Sequence, residues 1–188
     1  AAGLTRFALF GISQGCSVSI AYAVRHPERV SHLILYGGFA RGWDMRTPTP
    51  APKVGEVPLP TLMRVGRGGE EEGFRQLFTT LFVPGGTKEQ VDWFNELQRM
   101  TESGDMAARI FESCSRIDVT ALLPRVSVPT LVLHARNDAG ISFEAGRRRA
   151  AGIPGARFVA LTGRNHLFLE TDPAFGQFLE HTRAFLAT

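Results

Sequence analysis

The sequence predicts an α/β fold: a parallel sheet of about four strands, flanked by helices and interrupted by a helical insertion. Three observations predict it. A strand–helix–strand unit opens the chain, three amphipathic helices with no strand between them fill its middle, and strand–helix–strand–helix closes it. The 188 residues are 44% hydrophobic and 21% charged, the proportions of a globular domain able to bury a core. Fourteen Phe among many Leu and Val exclude disorder as the dominant state.

Each element has a local reason. The apolar run Arg6 to Gly11 is bounded by turn residues and suits a buried strand. Small and apolar residues at helical spacing run from Gln14 to Arg25 and stop at His26-Pro27. Val30 to Tyr36 is a second buried strand, ended by Gly37-Gly38. Short links between these elements imply a right-handed βαβ unit. Residues 44 to 61 are rich in proline and lack periodicity, which reads as a surface excursion. Helical periodicity then covers Gly73 to Phe82, Lys88 to Thr101 and Asp105 to Ser115. Pro129 introduces the strand Thr130 to Ala135, followed by a helix over Phe143 to Ala151, a strand over Arg157 to Leu161 and a helix over Pro173 to Leu186. The expected division is a core segment 1–43, a helical cap or lid 44–124, and a second core segment 125–188.

Composition narrows the function. Twenty-one Lys and Arg against 18 Asp and Glu leave +3, with the positives scattered, so no nucleic-acid partner is expected of this chain. The Arg147-Arg148-Arg149 run reads as the solvated face of a helix. Apolar runs are strand-sized, no secretion signal is visible, and two cysteines suggest no disulfide framework, so a cytoplasmic protein without a membrane partner is expected. No metal-binding spacing is present, and neither a metal nor a cofactor is expected. Cys16, within the helix Gln14 to Arg25, reads as a packing residue rather than a redox-sensitive thiol.

One constellation carries chemistry. Gly11-Ile12-Ser13-Gln14-Gly15 lies between a strand and a helix. A sharp strand-to-helix turn lifts the Ser13 hydroxyl clear of the sheet, and small residues two before and two after allow the close approach. The Gln14 N–H, at the start of the helix, points where an oxyanion would form. A serine nucleophile needs a base, and the base an orienting acid. Among five histidines, His26 sits at a helix end, His32 and His134 lie in strands, and His181 is on the last helix. His166 instead follows a strand in the polar loop Thr162-Gly163-Arg164-Asn165, where ligands meet an α/β sheet. Asp138 holds the matching place after the strand 130–135, and competes with Asp44, Asp118 and Asp172. Asp172 reads better as the N-cap of the last helix, with Pro173 at its first position.

On these residues the chain resembles the α/β-hydrolase fold family. GISQG is the elbow, VPTLVLHARND carries the acid and GRNHLFLE the base, in the family's order Ser, Asp, His. The run FALFGISQGCSVSIAYAVRHPERVSHLILYGG is similar to bacterial hydrolase domains found beside regulatory modules such as nucleotide cyclases. The resemblance implies a serine hydrolase acting on a small ester or related acyl substrate, with the cap as pocket lid and Phe39, Trp43, Phe78, Phe82 and Trp93 as pocket candidates. Ser13 in place of a carboxylate disfavours a dehalogenase. It also implies that the elbow follows a fifth strand, whereas here it stands at residue 13. The first four strands, and the loop giving a second oxyanion donor, are therefore expected to be absent, and the apolar edge Arg6–Gly11 to be covered by self-association or by a missing N-terminal segment. A catalytically incomplete ligand-sensing domain attached to a regulatory module is the alternative.

Overall fold

The computed structural model describes residues 3–42, 53–54, 57–58, 61, 64, 72–101 and 103–188. The chain divides into two compact units, one made of Ala1–Ala40 with Asp118–Thr188 and the other of Arg41–Ile117.

The first unit is built on four parallel strands, β1 (Phe7–Ile12), β2 (Val30–Tyr36), β5 (Thr130–Ala135) and β6 (Arg157–Leu161), in the order β1-β2-β5-β6. The parallel α/β sheet expected from the sequence is what forms. Register is set by apolar pairs in the middle of the sheet: Ile34 faces Leu131 and Tyr36 faces Leu133. Every residue of β5 is buried, the signature of a strand covered on both faces. Leu131, Leu133 and Leu161 are fully buried with Ile34 and Tyr36 in one cluster that Phe168 and Phe178 close from the side. Each such leucine contributes about 1.5–3 kcal/mol of burial. β1 is an edge, pairing with β2 alone among the described residues, and its Phe10 is 44% exposed.

Helix α1 (Gly15–Arg25) returns the chain from β1 to β2 and buries Cys16, Ser17, Ser19, Ile20 and Ala23. Its seat depends on Gly11, where a Cβ would lie 2.6 Å from Ser19 Oγ and 2.8 Å from the Gly15 carbonyl. Helix α5 (Phe143–Gly152) packs on β5, and α6 (Pro173–Leu186) packs on β5 and β6. Asp172 caps α6 by accepting from the Ala174 N–H at 3.0 Å, with Pro173 in the first turn, as the sequence suggests. A 3₁₀ turn over Thr120–Arg125, which periodicity does not reveal, leads into β5. One expectation is overturned. Arg147 and Arg148 are exposed, but Arg149 is fully buried, because the α5 face made by Gly146, Arg149 and Ala150 is the one turned to the sheet.

In the second unit, the stretch read as a surface excursion holds a short antiparallel pair, β3 (Lys53–Val54) with β4 (Val57–Pro58). Among the described residues three continuous helices follow: α2 (Glu72–Phe82), α3 (Lys88–Thr101) and α4 (Gly104–Ser115). A buried polar network ties α2 to α3, with Gln98 Nε2 donating to Thr79 Oγ1 at 2.8 Å and Asn95 Nδ2 donating to Gln76 Oε1 at 3.0 Å. Ser103 caps α4 by accepting from the Met106 N–H. Among the described residues no helix is long and apolar enough to cross a membrane.

Candidate active site

Three loops at the C-terminal ends of β1, β5 and β6 bring Ser13, Asp138 and His166 together. Ser13 is the sole described non-glycine residue with positive φ, at 53°, a left-handed conformation that costs a β-carbon-bearing residue about 1–2 kcal/mol. Its N–H donates to the Tyr36 carbonyl at 3.0 Å, which anchors the strained turn to the neighbouring strand. The Ser13 hydroxyl lies 2.9 Å from His166 Nε2.

His166 is buried, and its Nδ1 lies 2.9 Å from Asp138 Oδ2 and 3.1 Å from Oδ1. A carboxylate only accepts, so Nδ1 carries the proton and Nε2 is left to accept from Ser13. The Asp138 side chain is itself fully buried. Its Oδ1 accepts from the Gly140 and Ile141 N–H groups at 2.8 and 2.9 Å, which holds the carboxylate in one orientation. Two backbone bonds, Asn137 N–H to Gly163 O at 3.1 Å and Ala139 N–H to Arg164 O at 3.3 Å, tie the acid loop to the histidine loop. Asn165, beside the histidine, donates to Asp172 Oδ2 at 2.6 Å and accepts the Tyr36 hydroxyl at 3.3 Å through its carbonyl. Burial and the carboxylates of Asp138 and Asp172 push the Tyr36 phenol well above its ordinary range, so it stays a donor.

Gln14, next to Ser13, stands exposed at the head of α1, and the other candidates fall elsewhere. Phe39 is buried, and its carbonyl accepts from Ser17 Oγ at 2.8 Å. Phe78 packs with Ala108 in the core of the second unit, with Phe82 half-buried against them, and Trp93 is 61% exposed. Trp43 lies outside the described residues. Asp118 caps a turn by accepting from the Thr120 N–H, and His26 ends α1 with its ring 4.9 Å from that of Tyr22. His181, on α6, is half-buried. Among the described residues no cluster of His, Cys, Asp or Glu could hold a metal ion.

Two contributors escaped the sequence reading. Gly37, taken there as the end of a strand, adopts φ 59°, and a Cβ on it would lie 3.4 Å from His166 Cε1. His134, taken as a strand residue, donates from Nε2 to the Ile141 carbonyl at 2.9 Å and reaches within 3.5 Å of Asp138 Oδ2. Burial holds this imidazole below its ordinary pKa, which keeps it neutral. A histidine closing the strand four residues before the acid was the available signal for that support.

Comparison with known proteins gives the family and the fold. The model described as "Alpha/beta hydrolase family" matches residues 1–175. A 2-hydroxy-6-oxononadienedioate/2-hydroxy-6-oxononatrienedioate hydrolase of a Pseudomonas species is 26% identical over 168 residues, covering 87% of this chain and 58% of its own length. The Escherichia coli K12 protein of that name is 28% identical over 160 residues, covering 81% of this chain and 53% of its own. The chain thus spans a little over half the length of these relatives. Among solved structures, an esterase from Exiguobacterium antarcticum superposes with a TM-score of 0.78 at 21% identity, covering 98% of this chain and 68% of its own. An enol-lactonase from Burkholderia xenovorans LB400 gives 0.77 at 21% identity, covering 98% and 67%.

Proposed function

The chain belongs to the alpha/beta hydrolase family, and from that premise we propose that it carries the catalytic residues of a serine hydrolase acting on a small ester or related acyl compound. The observation that carries this reading is the continuous chain of hydrogen bonds from Ser13 Oγ through His166 to Asp138, with 2.9 Å at each link.

In this reading Ser13 Oγ adds to the acyl carbon while His166 Nε2 takes its proton. Asp138, held by the Gly140 and Ile141 N–H groups, keeps the imidazole in the tautomer that can accept and steadies the imidazolium that results. The carbonyl electrons move onto oxygen, where the Gln14 N–H at the head of α1 is assigned as a donor. His166 then returns the proton to the leaving group, an acyl-serine remains, and water repeats the sequence to release the acid. The named relatives differ in substrate, from a 2-hydroxy-6-oxononadienedioate hydrolase to an esterase and an enol-lactonase, but each name describes a hydrolytic step on a carbonyl-bearing compound. That shared step supports the substrate class and leaves the individual substrate to the pocket.

The test is intact-mass detection of labelling by a fluorophosphonate probe, with Ser13→Ala as control. One adduct, lost in the variant, is expected, and a panel of small esters would then define the acyl group. A folded protein that takes no adduct would sink the hydrolase reading and leave ligand sensing as the function to pursue.

A further inference from the structure

Arg149 is the largest fully buried side chain described in this protein. Its Nε, Nη1 and Nη2 meet no oxygen or nitrogen acceptor among the described residues, and the Cys16 sulfur is its polar side-chain neighbour. A guanidinium does not give up its proton in proteins, so a whole positive charge is held out of water. Gly38 shows where that charge sits. A Cβ on Gly38 would lie 2.5 Å from Arg149 Nη1, 2.5 Å from Cys16 Sγ and 2.4 Å from the Ser13 carbonyl oxygen. The guanidinium is therefore packed against the elbow that presents Ser13.

The ionisable groups that sense Arg149, Cys16 and His134, do not neutralise it. The Cys16 sulfur lies 3.2 and 3.3 Å from the Gly11 and Tyr36 carbonyls, the contacts of a thiol donor, and burial pushes its pKa up. His134 is neutral, because its Nε2–H serves Ile141 and burial disfavours its cation. An unpaired buried charge destabilises a fold, and a hydrophobic side chain of similar length is the more stable occupant. Placing the charge here gains something only if negative charge forms nearby.

We propose that Arg149 is a positioning residue, a fixed positive charge behind the nucleophile elbow whose field favours the oxyanion formed when Ser13 adds to an acyl carbonyl. It touches no substrate and acts through the elbow. The inference rests on Ser13 being the nucleophile.

Arg149→Met and Arg149→Lys test it, with three readouts: the limiting rate of fluorophosphonate labelling, the probe concentration at half that rate, and the thermal midpoint. The expected result is that Arg149→Met labels about tenfold more slowly, with the half-saturating concentration unchanged, as removal of one charge across a few residues' distance in a site of intermediate dielectric implies. Its midpoint rises by a few degrees, since the unpaired charge is gone. Arg149→Lys keeps the charge and labels within about threefold of wild type. A merely structural role would move rate and stability in the same direction, and lysine would not restore the rate. Wild-type labelling by Arg149→Met overturns the inference alone, and so does an Arg149→Met protein less stable than wild type. A folded wild-type protein that takes no label overturns the Ser13 reading, and this inference falls with it.

Discussion

Two glycines inside helices should respond in opposite ways to the same substitution. Alanine is better than glycine in a helix interior by about 0.8–1 kcal/mol, so a rule based on propensity stabilises both Gly146→Ala in α5 and Gly176→Ala in α6. At Gly176 no atom of the described residues lies within 4 Å of an added Cβ, and the full gain of about 1 kcal/mol is expected. At Gly146 the added Cβ would meet His134 Nδ1 at 2.4 Å, Cγ at 2.8 Å and Cβ at 3.0 Å. The ring cannot swing clear, because its own Cβ, fixed to the buried strand β5, is part of the contact. Overpacking of this kind costs about 1–3 kcal/mol. Displacing the ring also breaks the His134 bond to Ile141, at a further 0.5–1.5 kcal/mol or so. Set against the propensity gain, the net is a loss of about 1–3 kcal/mol. At roughly 2–4 °C per kcal/mol for a chain of this size, Gly146→Ala should melt several degrees below wild type and Gly176→Ala about 2–4 °C above it. Thermal unfolding followed by circular dichroism measures both. Because His134 props the loop that carries Asp138, Gly146→Ala should also slow labelling of Ser13 at temperatures where it remains folded. A Gly146→Ala protein as stable as wild type or more so would refute the packing argument.

Asp138→Asn leaves the shape of the site but removes the anion that orients His166, and should slow Ser13 labelling on the order of 10³–10⁴-fold in the same mass assay. Ser13→Ala and Ser13→Gly should both fail to label, yet Ser13→Gly should melt above Ser13→Ala, because only glycine adopts φ 53° without strain. Equal midpoints for the two would show that the elbow stores no backbone strain. His134 predicts a pH dependence. Its folded pKa lies below the ordinary value of 6.5, so between the two values the unfolded chain binds more protons. Stability is then fully present above about pH 6.5 and falls as the pH drops below it, and thermal midpoints in His134→Gln should fall less steeply from pH 7 to pH 5 than in wild type.

The sheet was legible because its strands are short apolar runs closed by glycine, proline or polar clusters, and burial on both faces of β2 and β5 leaves no other use for such runs. Ser13 was legible for a local reason. The requirement for small residues beside a strained turn is written within five positions: Gly11 meets it by lying too near Ser19 and Gly15 for any side chain, whereas at Gly15 no described atom lies within 4 Å of an added Cβ, so the expected close approach is absent there. Asp138 and His166 were legible by their place after strands, since parallel sheets present those loops at one end. What escaped depends on contacts across the sheet. Arg149 looked solvated because it follows two exposed arginines, although Gly146, Arg149 and Ala150 share the helical stripe that faces inward. The role of Gly37 depends on the ring of His166, which lies far away in sequence but 3.4 Å from a Cβ placed there. The turn at Thr120–Arg125 is too short for any helical period to register.

The bond between Ser13 and His166 spans 153 positions of the chain, which gives the site a place in time. On a ribosome working at about 5–20 residues per second, Ser13 leaves the tunnel roughly 8–30 s before His166 does. During that interval β1, α1 and β2 can pair and form the elbow, but the hydroxyl has no base and remains an ordinary alcohol. The proposed reactivity requires β6 to be docked beside β5, which carries the histidine loop into place. In the function proposed above, a nascent chain is thus inert toward acyl compounds around it, and the first molecule able to acylate itself is one whose sheet has already closed its register.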